Sequence, residues 1–563
     1  MEYVKNEVVE VGISDIGTGG EGIGHIDGYV LFVKDALPGD KVAARITKAK
    51  KNYAYARVEK VIKPSPFRVT PACGNARKCG GCQLMEMDYA AQLKFKEDKV
   101  RNNLIRLGGF DAAFIESIAE PIVGMEGDAL RYRNKAQYPF GKNKDGEIIC
   151  GFYAGRTHSI IPATECMLGD ESNSEILKCI LAFMKKYHIE PYDEKTGKGL
   201  VRHALLRKGF STGEKMVCLV VNGNDIPHKD ELAADLGRLG VDSVSYSVNK
   251  KNTNVIMGDN YHTVYGKGVI CDSMSVRNPE NDFRDAYNEK SLLFNISPLS
   301  FYQVNPVQVE KLYGIAVSYA GLTGNEEVWD LCCGIGTITL SMASKAKMVH
   351  GIEIVPQAIE DAKENMENNG ITNAEFICAP AEDYLQEHKN EIKADVIVMD
   401  PPRKGMDERA LEVVVDTASK RIVYVSCDSA TLARDLRYLC DRGYEIKRYR
   451  TCDMFPQTVH VETVVSLSLK SDSPKIEVSM KPGEDSLYEP QDKGIYEKIK
   501  AYVLEKYGFK VSSLYIAQVK DKCGLDKRLN YNLSKKDDPH VPECPKEKED
   551  AIMDAFRHFG LIE

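Results

Sequence analysis

Four polar motifs stand where chemistry could take place, each directly after an apolar run that predicts a strand. They are DLCCGIG at 330–336, Glu353, DPPRKG at 400–405, and Cys427 in YVSCDSATL. Strands alternate with helical segments between about residues 290 and 470, which predicts a mostly parallel, doubly wound sheet. Because ligands bind at the carboxyl ends of the strands in such a sheet, we expect the four motifs to meet in one cleft.

Cys427 is the candidate nucleophile. It precedes the helical segment ATLARDLRYL, and a helix N-terminus lowers the pKa of a thiol toward the reactive thiolate. His460 and Glu462 lie two residues apart on a later predicted strand, so both point to one face. Glu462 could act there as a general base. A buried structural cysteine and a solvent-facing glutamate are the alternative interpretations.

The glycine turn of DLCCGIG predicts a nucleoside site that includes Asp330 and Gly334. Such a turn lets the backbone approach a ligand and exposes amide groups at a helix N-terminus. Glu353, at the end of the next predicted strand, is placed to accept hydrogen bonds from ribose hydroxyls. No phosphate-binding lysine accompanies the turn, so a nucleoside without a phosphate fits better, and S-adenosylmethionine is one. An ordinary tight turn is the alternative.

Methyl transfer to carbon 5 of a uracil needs this combination of groups. A thiolate that adds at C6 makes C5 reactive, C5 takes a methyl group from a sulfonium donor, and a base removes the C5 proton. Cys427 could supply the thiolate, the Gly334–Glu353 turn the donor site, Asp400 a group that holds the pyrimidine edge, and Glu462 the base. Because a paired duplex hides the base, the expected substrate is a loop or a flipped nucleotide of structured RNA.

A cysteine-rich loop predicts a metal centre. Cys73, Cys79 and Cys82 form C-x5-C-x2-C around a Gly-Gly turn, and three thiolates in one loop suit a soft metal or an iron–sulfur cluster. A fourth ligand is required. Zinc held by four cysteines is the alternative to a [4Fe–4S] cluster, because spacing alone does not separate them. A structural or RNA-orienting role is favoured, because methyl transfer needs no electron.

Composition predicts a multidomain cytoplasmic protein with no membrane association. The 563 residues exceed what one core accommodates, no apolar run reaches the roughly 18 residues of a membrane helix, and the N-terminal sequence lacks a signal-peptide pattern. The net charge of −8 argues against a purely electrostatic nucleic-acid binder, although basic patches occur locally. Arg133 in RYRNKAQY and Arg403 in DPPRKG are the candidate RNA contacts.

The chain is predicted to be a multidomain α/β protein whose segments differ in periodicity and composition. The predicted segments are an OB-like β-barrel at 1–66, the cysteine loop at 67–92, a helix that packs on the catalytic domain at 93–120, a central α+β RNA-binding domain of antiparallel strands at 121–285, the doubly wound domain at 286–470, a linker at 471–490 and a small helical extension at 491–563.

Five motifs together resemble the RNA uracil-5-methyltransferase family: SFYQVNP, DLCCGIGT, DPPRKG, VSCDSATLARDL and FPQTVHVE. Within it the chain most resembles the bacterial 23S ribosomal RNA branch. The resemblance spans about residues 5 to 470 and implies a TRAM domain for the barrel and a Rossmann-like methyltransferase domain. It implies Cys427 as nucleophile and Glu462 as base. The implied contacts to S-adenosylmethionine are Gln303, Cys332, Glu353 and Asp400. Asp400 thus has two candidate roles, at the cofactor and at the substrate.

The same resemblance makes Cys166 the best fourth ligand of a [4Fe–4S] cluster, with Cys150 as the competitor. Two positions depart from the family pattern. The family often has an aromatic residue where Cys332 stands, and commonly Asn-Pro after the nucleophile, where this chain has Asp428 and Ser429. The Asp428 carboxylate would disfavour the nearby thiolate.

Three other functions compete with methylation of 23S rRNA. The same chemistry could act on the T-loop of a transfer RNA. A non-catalytic RNA-binding iron–sulfur protein is opposed by the presence of both Cys427 and Glu462 in full motifs. A small-molecule methyltransferase is opposed by the N-terminal barrel and by the pairing of DPPRKG with Cys427. No obligate protein partner is evident from the sequence.

Overall fold

The computed structural model describes residues 3–127, 129–288, 290–389, 391–470, 494–523, 544–559 and 561–562. The chain divides into two compact units, Met1–Ser473 and Pro474–Glu563. The predicted linker, 471–490, lies outside the described residues. None of the described helices is long and apolar enough to cross a membrane.

The N-terminal strands close into a five-stranded barrel in the order β1-β2-β3-β5-β4, which confirms the predicted small barrel. Its core is apolar and includes Val11, Leu31 and Ile46. The β2–β3 turn uses Asp27 and Gly28 at φ 49° and 81°, the left-handed pair that a two-residue hairpin requires. The strands are β1 Val8–Ile16, β2 Gly22–Ile26, β3 Tyr29–Lys34, β4 Lys41–Ala49 and β5 Tyr53–Lys63.

The cysteine loop follows the barrel, and the chain then forms α1 Tyr89–Arg106, α2 Ala112–Ser117 and β6 Ala119–Val123. Asp88 caps α1 by accepting the amide of Ala91 at 2.9 Å. Val100 and Leu104 of α1 pack into the core of the catalytic domain. β6 pairs with a strand of the catalytic sheet, so the chain contributes to that sheet before it enters the central domain.

The central domain is a seven-stranded sheet with two helices. Its strand order is β13-β12-β11-β10-β7-β8-β9. The strands were expected to be antiparallel, but β11 and β12 are parallel, because α4 lies between them in the chain and forms a crossover. The elements are β7 Lys135–Lys142, β8 Ile148–Tyr153, β9 Ile160–Pro162, α3 Asn173–Lys186, β10 Val201–Lys208, β11 Lys215–Val221, α4 Lys229–Arg238, β12 Ser243–Val248 and β13 Tyr261–Tyr265.

The catalytic domain is an eight-stranded sheet in the order β18-β17-β16-β19-β20-β22-β21-β6, which confirms the predicted doubly wound fold. β16 to β20 are parallel, and the strand order reverses between β16 and β19. A small hairpin, β14–β15, precedes the domain. The elements are β14 Ile270–Met274, β15 Leu292–Ile296, α5 Pro306–Ala320, β16 Glu327–Asp330, α6 Thr337–Ala343, β17 Met348–Glu353, α7 Pro356–Asn368, β18 Ala374–Cys378, α8 Ala381–Glu387, β19 Val396–Met399, α9 Glu408–Asp416, β20 Arg421–Ser426, α10 Ser429–Cys440, β21 Tyr444–Cys452 and β22 Glu462–Leu469.

The C-terminal unit contains three described helices around a small core of its own. The fully buried large apolar residues among those described in this unit are Ile499, Val503, Ile516, Val519, Ile552 and Phe556. The helices are α11 Gly494–Tyr507, α12 Ser513–Lys522 and α13 Lys546–His558.

Replacement by alanine is expected to have opposite effects on stability at two glycines that lie in helices. A Cβ at Gly314 in α5 would overlap the carbonyl oxygen of Arg277, whereas one at Gly237 in α4 would meet nothing nearer than 3.9 Å. We therefore expect Gly314→Ala to lower the free energy of unfolding by about 1–3 kcal/mol. Gly237→Ala should raise it by about 0.5–1 kcal/mol through helix propensity. Thermal unfolding of both variants checks this, and equal shifts of the same sign would contradict it.

Candidate active site

The reversal of strand order places two carboxylates at the carboxyl ends of neighbouring strands. Asp330 ends β16, and Asp400 directly follows β19. Asp330 has no exposed surface. It accepts the hydroxyl of Thr339 at 2.7 Å and, more weakly, the amide of Cys332 at 3.4 Å. These bonds show that Asp330 supports the glycine turn, and its predicted contact with a cofactor stays a prediction.

Burial raises the pKa of both carboxyl groups, of Asp330 to about 6 and of Asp400 to about 7. The charge of Asp330 adds to the shift of Asp400. Asp400 is half-buried, so its carboxyl can reach a ligand in the cleft. At neutral pH this position can either donate or accept a hydrogen bond.

The glycine turn leaves open space at the end of β16. Gly334 adopts φ 55°, and nothing lies within 4 Å of the position that a Cβ would take. Its amide donates to Oε2 of Glu353 at 3.3 Å, while Oε1 of Glu353 accepts the amide of Val355 at 3.0 Å. Cys332 is half-buried beside the turn. This geometry fits the predicted nucleoside site, with the carboxylate of Glu353 at its edge.

Gln303 reaches the same region from the segment before α5. It is 7% exposed, and its carbonyl accepts Nδ2 of Asn134 at 2.9 Å. Tyr313 in α5 places its hydroxyl 3.2 Å from that of Thr337. Burial raises the pKa of Tyr313, and the charge of Asp400 adds to this. Sequence reasoning missed Tyr313, because it lies in an apolar helix where a tyrosine resembles an ordinary core residue.

Cys427 lies between β20 and α10, where it was predicted, but its pKa is shifted in the opposite direction. Burial, reinforced by the charges of Glu462 and Asp400, raises the pKa of the thiol to about 12, and the charge of Arg403 opposes this. The Asp428 carboxylate instead caps α10 by accepting the amides of Ala430 and Thr431 at 2.9 and 3.1 Å.

Glu462 is the first residue of β22 and is 3% exposed. Burial and the charge of Asp400 raise its pKa to about 8, with Arg403 acting in the opposite direction. The prediction that His460 shares this strand is wrong, because β22 begins at Glu462 and His460 lies in the preceding loop. The pKa of the Cys427 thiol and that of the Glu462 carboxyl thus both depend on the charges of Asp400 and Arg403.

The DPPRKG loop is fastened to the helix that follows the nucleophile. Asp435 of α10 is fully buried and accepts the amide of Met406 at 2.9 Å and the hydroxyl of Tyr424 at 2.6 Å. The hydroxyl of Thr431 donates to the carbonyl of Arg403 at 3.2 Å. The backbones that carry Arg403 and Cys427 are therefore fixed relative to each other.

The loop before Glu462 is fastened to the cysteine loop and α1. Gln457 adopts φ 70° and exchanges two hydrogen bonds of 2.9 Å with Gln92. Its carbonyl accepts the amide of Leu84 at 3.0 Å, and Tyr132 donates to the carbonyl of Pro456 at 3.0 Å. The cysteine loop therefore helps to support the segment that ends at Glu462.

A buried ion pair reinforces this connection. Lys96 of α1 binds Asp453, and neither side chain is exposed. Lys96 also donates to the carbonyl of Phe455 at 3.0 Å, and Tyr89 donates to Asp453 at 3.0 Å. Burial lowers the pKa of Lys96 and raises that of Asp453, while each charge offsets part of the shift in the other.

The four predicted cysteine ligands, Cys73, Cys79, Cys82 and Cys166, line one cavity of about 290 Å³. Cys150 is buried in β8 and does not line it. Arg133 lines the same cavity, and its charge lowers the pKa of Cys82 against the larger opposing effect of burial. Among the described residues, no three His, Cys, Asp or Glu side chains are grouped closely enough to hold a single metal ion.

Arg133, which was predicted as an RNA contact, lies beside these thiols, and that contact stays a prediction.

Comparison with known proteins identifies two regions of the chain. The sequence profile of the tRNA (Uracil-5-)-methyltransferase family matches residues 284–470, and that of the TRAM domain matches residues 4–58. A protein of Clostridium acetobutylicum, named as an uncharacterized RNA methyltransferase, is 44% identical over 464 residues, 82% of this chain and 97% of that protein. One of Listeria innocua, named in the same way, is 44% identical over 83% of this chain and 98% of its own length.

A solved structure is similar over the same share of the chain. It is the Pyrococcus abyssi tRNA (uracil-54, C5)-methyltransferase in complex with S-adenosyl-L-homocysteine. The TM-score is 0.62 at 26% identity, and the match covers 82% of this chain and all of that one.

The buried ion pair predicts a large loss of stability when one partner is removed. Lys96→Met should lower the free energy of unfolding by about 3–5 kcal/mol, because it leaves the Asp453 carboxylate buried without its cation. Lys94→Met on the same helix is the matched control. Its 2.8 Å pair with Asp98 is largely exposed, so we expect a change within about 0.5 kcal/mol. Urea unfolding compares the two, and similar losses would contradict the prediction.

Proposed function

The chain belongs to the RNA uracil-5-methyltransferase family, and from this we propose that it methylates C5 of a uridine in 23S rRNA through a covalent bond from Cys427. The enzyme uses S-adenosylmethionine and acts on RNA. The observation that carries the proposed mechanism is the electrostatic coupling of Cys427, Glu462, Asp400 and Arg403 in one cleft.

The cofactor site is proposed at the end of β16 and β17. Gly334 gives the open space, and the carboxylate of Glu353 can accept hydrogen bonds from ribose hydroxyls. Gln303 and Cys332 are proposed as further contacts to the cofactor, as the family resemblance implies. When bound, S-adenosylmethionine supplies an electrophilic methyl group on a sulfonium. Asp400 lies beside both this site and the cleft, so its carboxyl can bind either cofactor or pyrimidine.

The reaction is proposed to proceed in three steps on the uracil ring. The Cys427 thiolate adds to C6, and the electron pair of the C5–C6 bond moves toward the C4 carbonyl oxygen. C5 of the resulting enolate would then take the methyl group that bound S-adenosylmethionine would supply, and the electrons of the broken C–S bond would stay on sulfur. Glu462 then takes the C5 proton, the C5–C6 double bond forms again, and the thiolate leaves.

Two features of the cleft suit these steps. Arg403 lowers the pKa of both Cys427 and Glu462, so it favours the thiolate needed for attack and the carboxylate needed for proton removal. Glu462 is buried away from bulk water, and a carboxylate with a raised pKa is a stronger base than a solvated one.

The substrate class is proposed from the elements that lie outside the methyltransferase domain. The target base must leave its stack to reach a buried thiol and carboxylate. The TRAM barrel and the cysteine loop favour ribosomal RNA. The main alternative is the T-loop of a transfer RNA, because the similar Pyrococcus abyssi enzyme acts on tRNA.

Trapping with 5-fluorouridine tests both mechanism and substrate. Fluorine at C5 cannot be removed as a proton, so the intermediate should persist and join RNA to Cys427. We expect mass spectrometry to find this adduct with fluorinated 23S rRNA and S-adenosylmethionine, and to find none with Cys427→Ala. Cys440→Ala, which replaces a cysteine outside the cleft at the end of α10, is the matched control and should retain the adduct.

An adduct with fluorinated tRNA but not with 23S rRNA would replace the proposed substrate by the alternative. Absence of an adduct with either RNA would overturn the covalent mechanism.

Substitution of Glu462 should separate methyl transfer from release. We expect Glu462→Gln to accumulate a methylated covalent complex with unmodified RNA, because the C5 proton has no base to accept it. Glu445→Gln, at a half-buried position of β21 where the side chain pairs with Lys447, should turn over normally. Because burial raises the pKa of Glu462 to about 8, its basic form is gained as pH rises. The kcat/KM of the unsubstituted enzyme should therefore increase from pH 6 to 9. Normal turnover by Glu462→Gln would contradict the assignment.

A [4Fe–4S] cluster held by Cys73, Cys79, Cys82 and Cys166 is proposed for the cysteine cavity, with zinc as the alternative. Protein purified without oxygen should contain about four iron atoms and four sulfides per chain. Cys82→Ser should lower the iron content, whereas Cys150→Ser, which changes a thiol outside the cavity, should retain it. One zinc and no iron per chain would exclude the cluster.

A further inference from the structure

A cavity of about 1010 Å³ lies at the β7–β8–β9 edge of the sheet of the central domain. It is lined by the β8–β9 hairpin, the loop at 190–199 and the start of β10. Its volume exceeds what packing leaves empty in an ordinary interior and matches that of sites for large ligands.

Two buried polar side chains at the start of β10, Arg202 and His203, form part of the cavity wall and are 6% and 7% exposed. Adjacent residues on a regular strand point to opposite faces, but a β-bulge between Val201 and His203 interrupts that alternation. Nη1 of Arg202 donates to the carbonyls of Asn249 and Lys251 at 2.7 and 2.9 Å. These bonds hold the guanidinium in place, so the wall of the cavity is fixed in shape.

The loop at 190–199 carries two lysines at the rim, Lys195 and Lys198. The backbones of Asp193 and Lys198 form an antiparallel β-bridge, and the Asp193 carboxylate accepts the amide of Lys195 at 2.9 Å and the hydroxyl of Thr196 at 3.1 Å. A Cβ at Gly199 would overlap the carbonyl of Pro191. These contacts restrain the loop to one backbone conformation, which fixes the positions of Lys195 and Lys198 at the rim.

The positive charge at this cavity exceeds the negative charge. Of its carboxylates, Glu190 pairs with Lys142 and Glu194 lies 2.6 Å from Nδ1 of His158, while Asp193 is engaged within its own loop. In the described part of the chain no carboxylate pairs with the remaining lysines at the rim. These are Lys144, Lys195 and Lys198. Such an excess suits a phosphodiester.

An aromatic face completes the site. The rings of Tyr153 and His158 stack with centroids 5.1 Å apart and an interplanar angle of 26°. Tyr192 is covered on one face by the guanidinium of Arg202, 4.5 Å from its centroid. Stacking on such rings is the usual way in which proteins hold unpaired bases of RNA.

The β8–β9 loop lies between this cavity and a second one near the catalytic residues. Tyr153 and His158 flank the β8–β9 loop, and Gly155 and Arg156 at its tip line a second cavity of about 460 Å³. That second cavity is also lined by Tyr55 of the barrel and by His460, two residues before Glu462. A strand of RNA leaving the cleft past His460 would therefore meet this loop and then the large cavity.

We propose that the cavity around Arg202, His203, Lys195 and Lys198 is a second RNA-binding site, which takes an unpaired nucleotide of the substrate outside the methylated loop. The base stacks on Tyr153, the phosphates on either side of it contact Lys195 and Lys198, and Arg202 and His203 form the wall behind the nucleotide. This site rests on the proposed RNA substrate and extends it, since it sets how much RNA beyond the target uridine the enzyme requires.

Binding of RNA to full-length Cys427→Ala protein tests the proposal without catalysis. Fluorescence anisotropy is measured with transcripts of 23S rRNA and of tRNA over a range of salt. In this background Lys195→Ala with Lys198→Ala should raise the Kd of the bound RNA about tenfold. It should also reduce the slope of log Kd against log salt by about 1.4–1.8, the value for two phosphate contacts. Tyr153→Ala should raise the Kd at least about fivefold.

Lys185→Ala with Lys186→Ala is the matched control, because it removes the same charge from the exposed end of α3 and should leave the Kd within about twofold. A short RNA that contains only the target loop should bind all variants equally. Unchanged Kd in the Lys195/Lys198 variant, or an equal loss with the short RNA, would overturn the proposal. Binding of free AMP to this cavity without any effect on RNA affinity would also overturn it, and would assign the cavity to a free nucleotide.

Failure of the proposed covalent mechanism can be distinguished from failure of this second RNA-binding site. An enzyme that forms no adduct through Cys427 but still loses RNA affinity in the Lys195/Lys198 variant would retain this site and lose the covalent mechanism.

Discussion

The contact between α1 and the segment 453–457 is the interaction on which the catalytic cleft depends. The side chains of Lys96 and Asp453 have no exposed surface, and the side-chain amide of Gln92 donates to the side chain of Gln457 and accepts its backbone amide. Glu462 follows this segment after four residues, so its position at the start of β22 is set partly by residues from the N-terminal part of the chain. A buried ion pair adds little net stability compared with apolar residues, but it tolerates few alternative arrangements. Its value here is that it fixes one geometry.

The electrostatics of the cleft follow from the order of the strands. The reversal between β16 and β19 brings Asp330 and Asp400 together, and the antiparallel β22 brings Glu462 to the same end of the sheet. Burial raises the pKa of all three carboxyl groups. At neutral pH the cleft therefore holds less negative charge than its composition suggests. The negatively charged enolate of uracil can therefore form there with less electrostatic repulsion than three ionised carboxylates would cause.

Local patterns in the sequence predicted the barrel, the doubly wound sheet and the strand-end positions of Asp400 and Cys427, because these follow from periodicity and from residues adjacent in the chain. Features that depend on distant residues were missed. Lys96 and Gln92 look like ordinary polar residues of a helix, since their partners lie more than 350 positions away. The pKa of Cys427 was expected to fall, because the helix that follows was visible in the sequence and the facing Glu462 was not. β6 was not assigned to the catalytic sheet, since its partner β21 comes more than 300 residues later.

The same long-range contact has a consequence for synthesis of the protein. Gln92 and Gln457 are separated by 365 positions, so the nascent chain carries α1 for most of its translation without the segment that completes it. At about 5–20 residues per second this interval lasts roughly 20–70 s. During that time Lys96 has no Asp453 to bind, and its ammonium must stay hydrated. The barrel can close early, because its strands are contiguous, but the catalytic cleft is among the last parts of its unit to form on the ribosome.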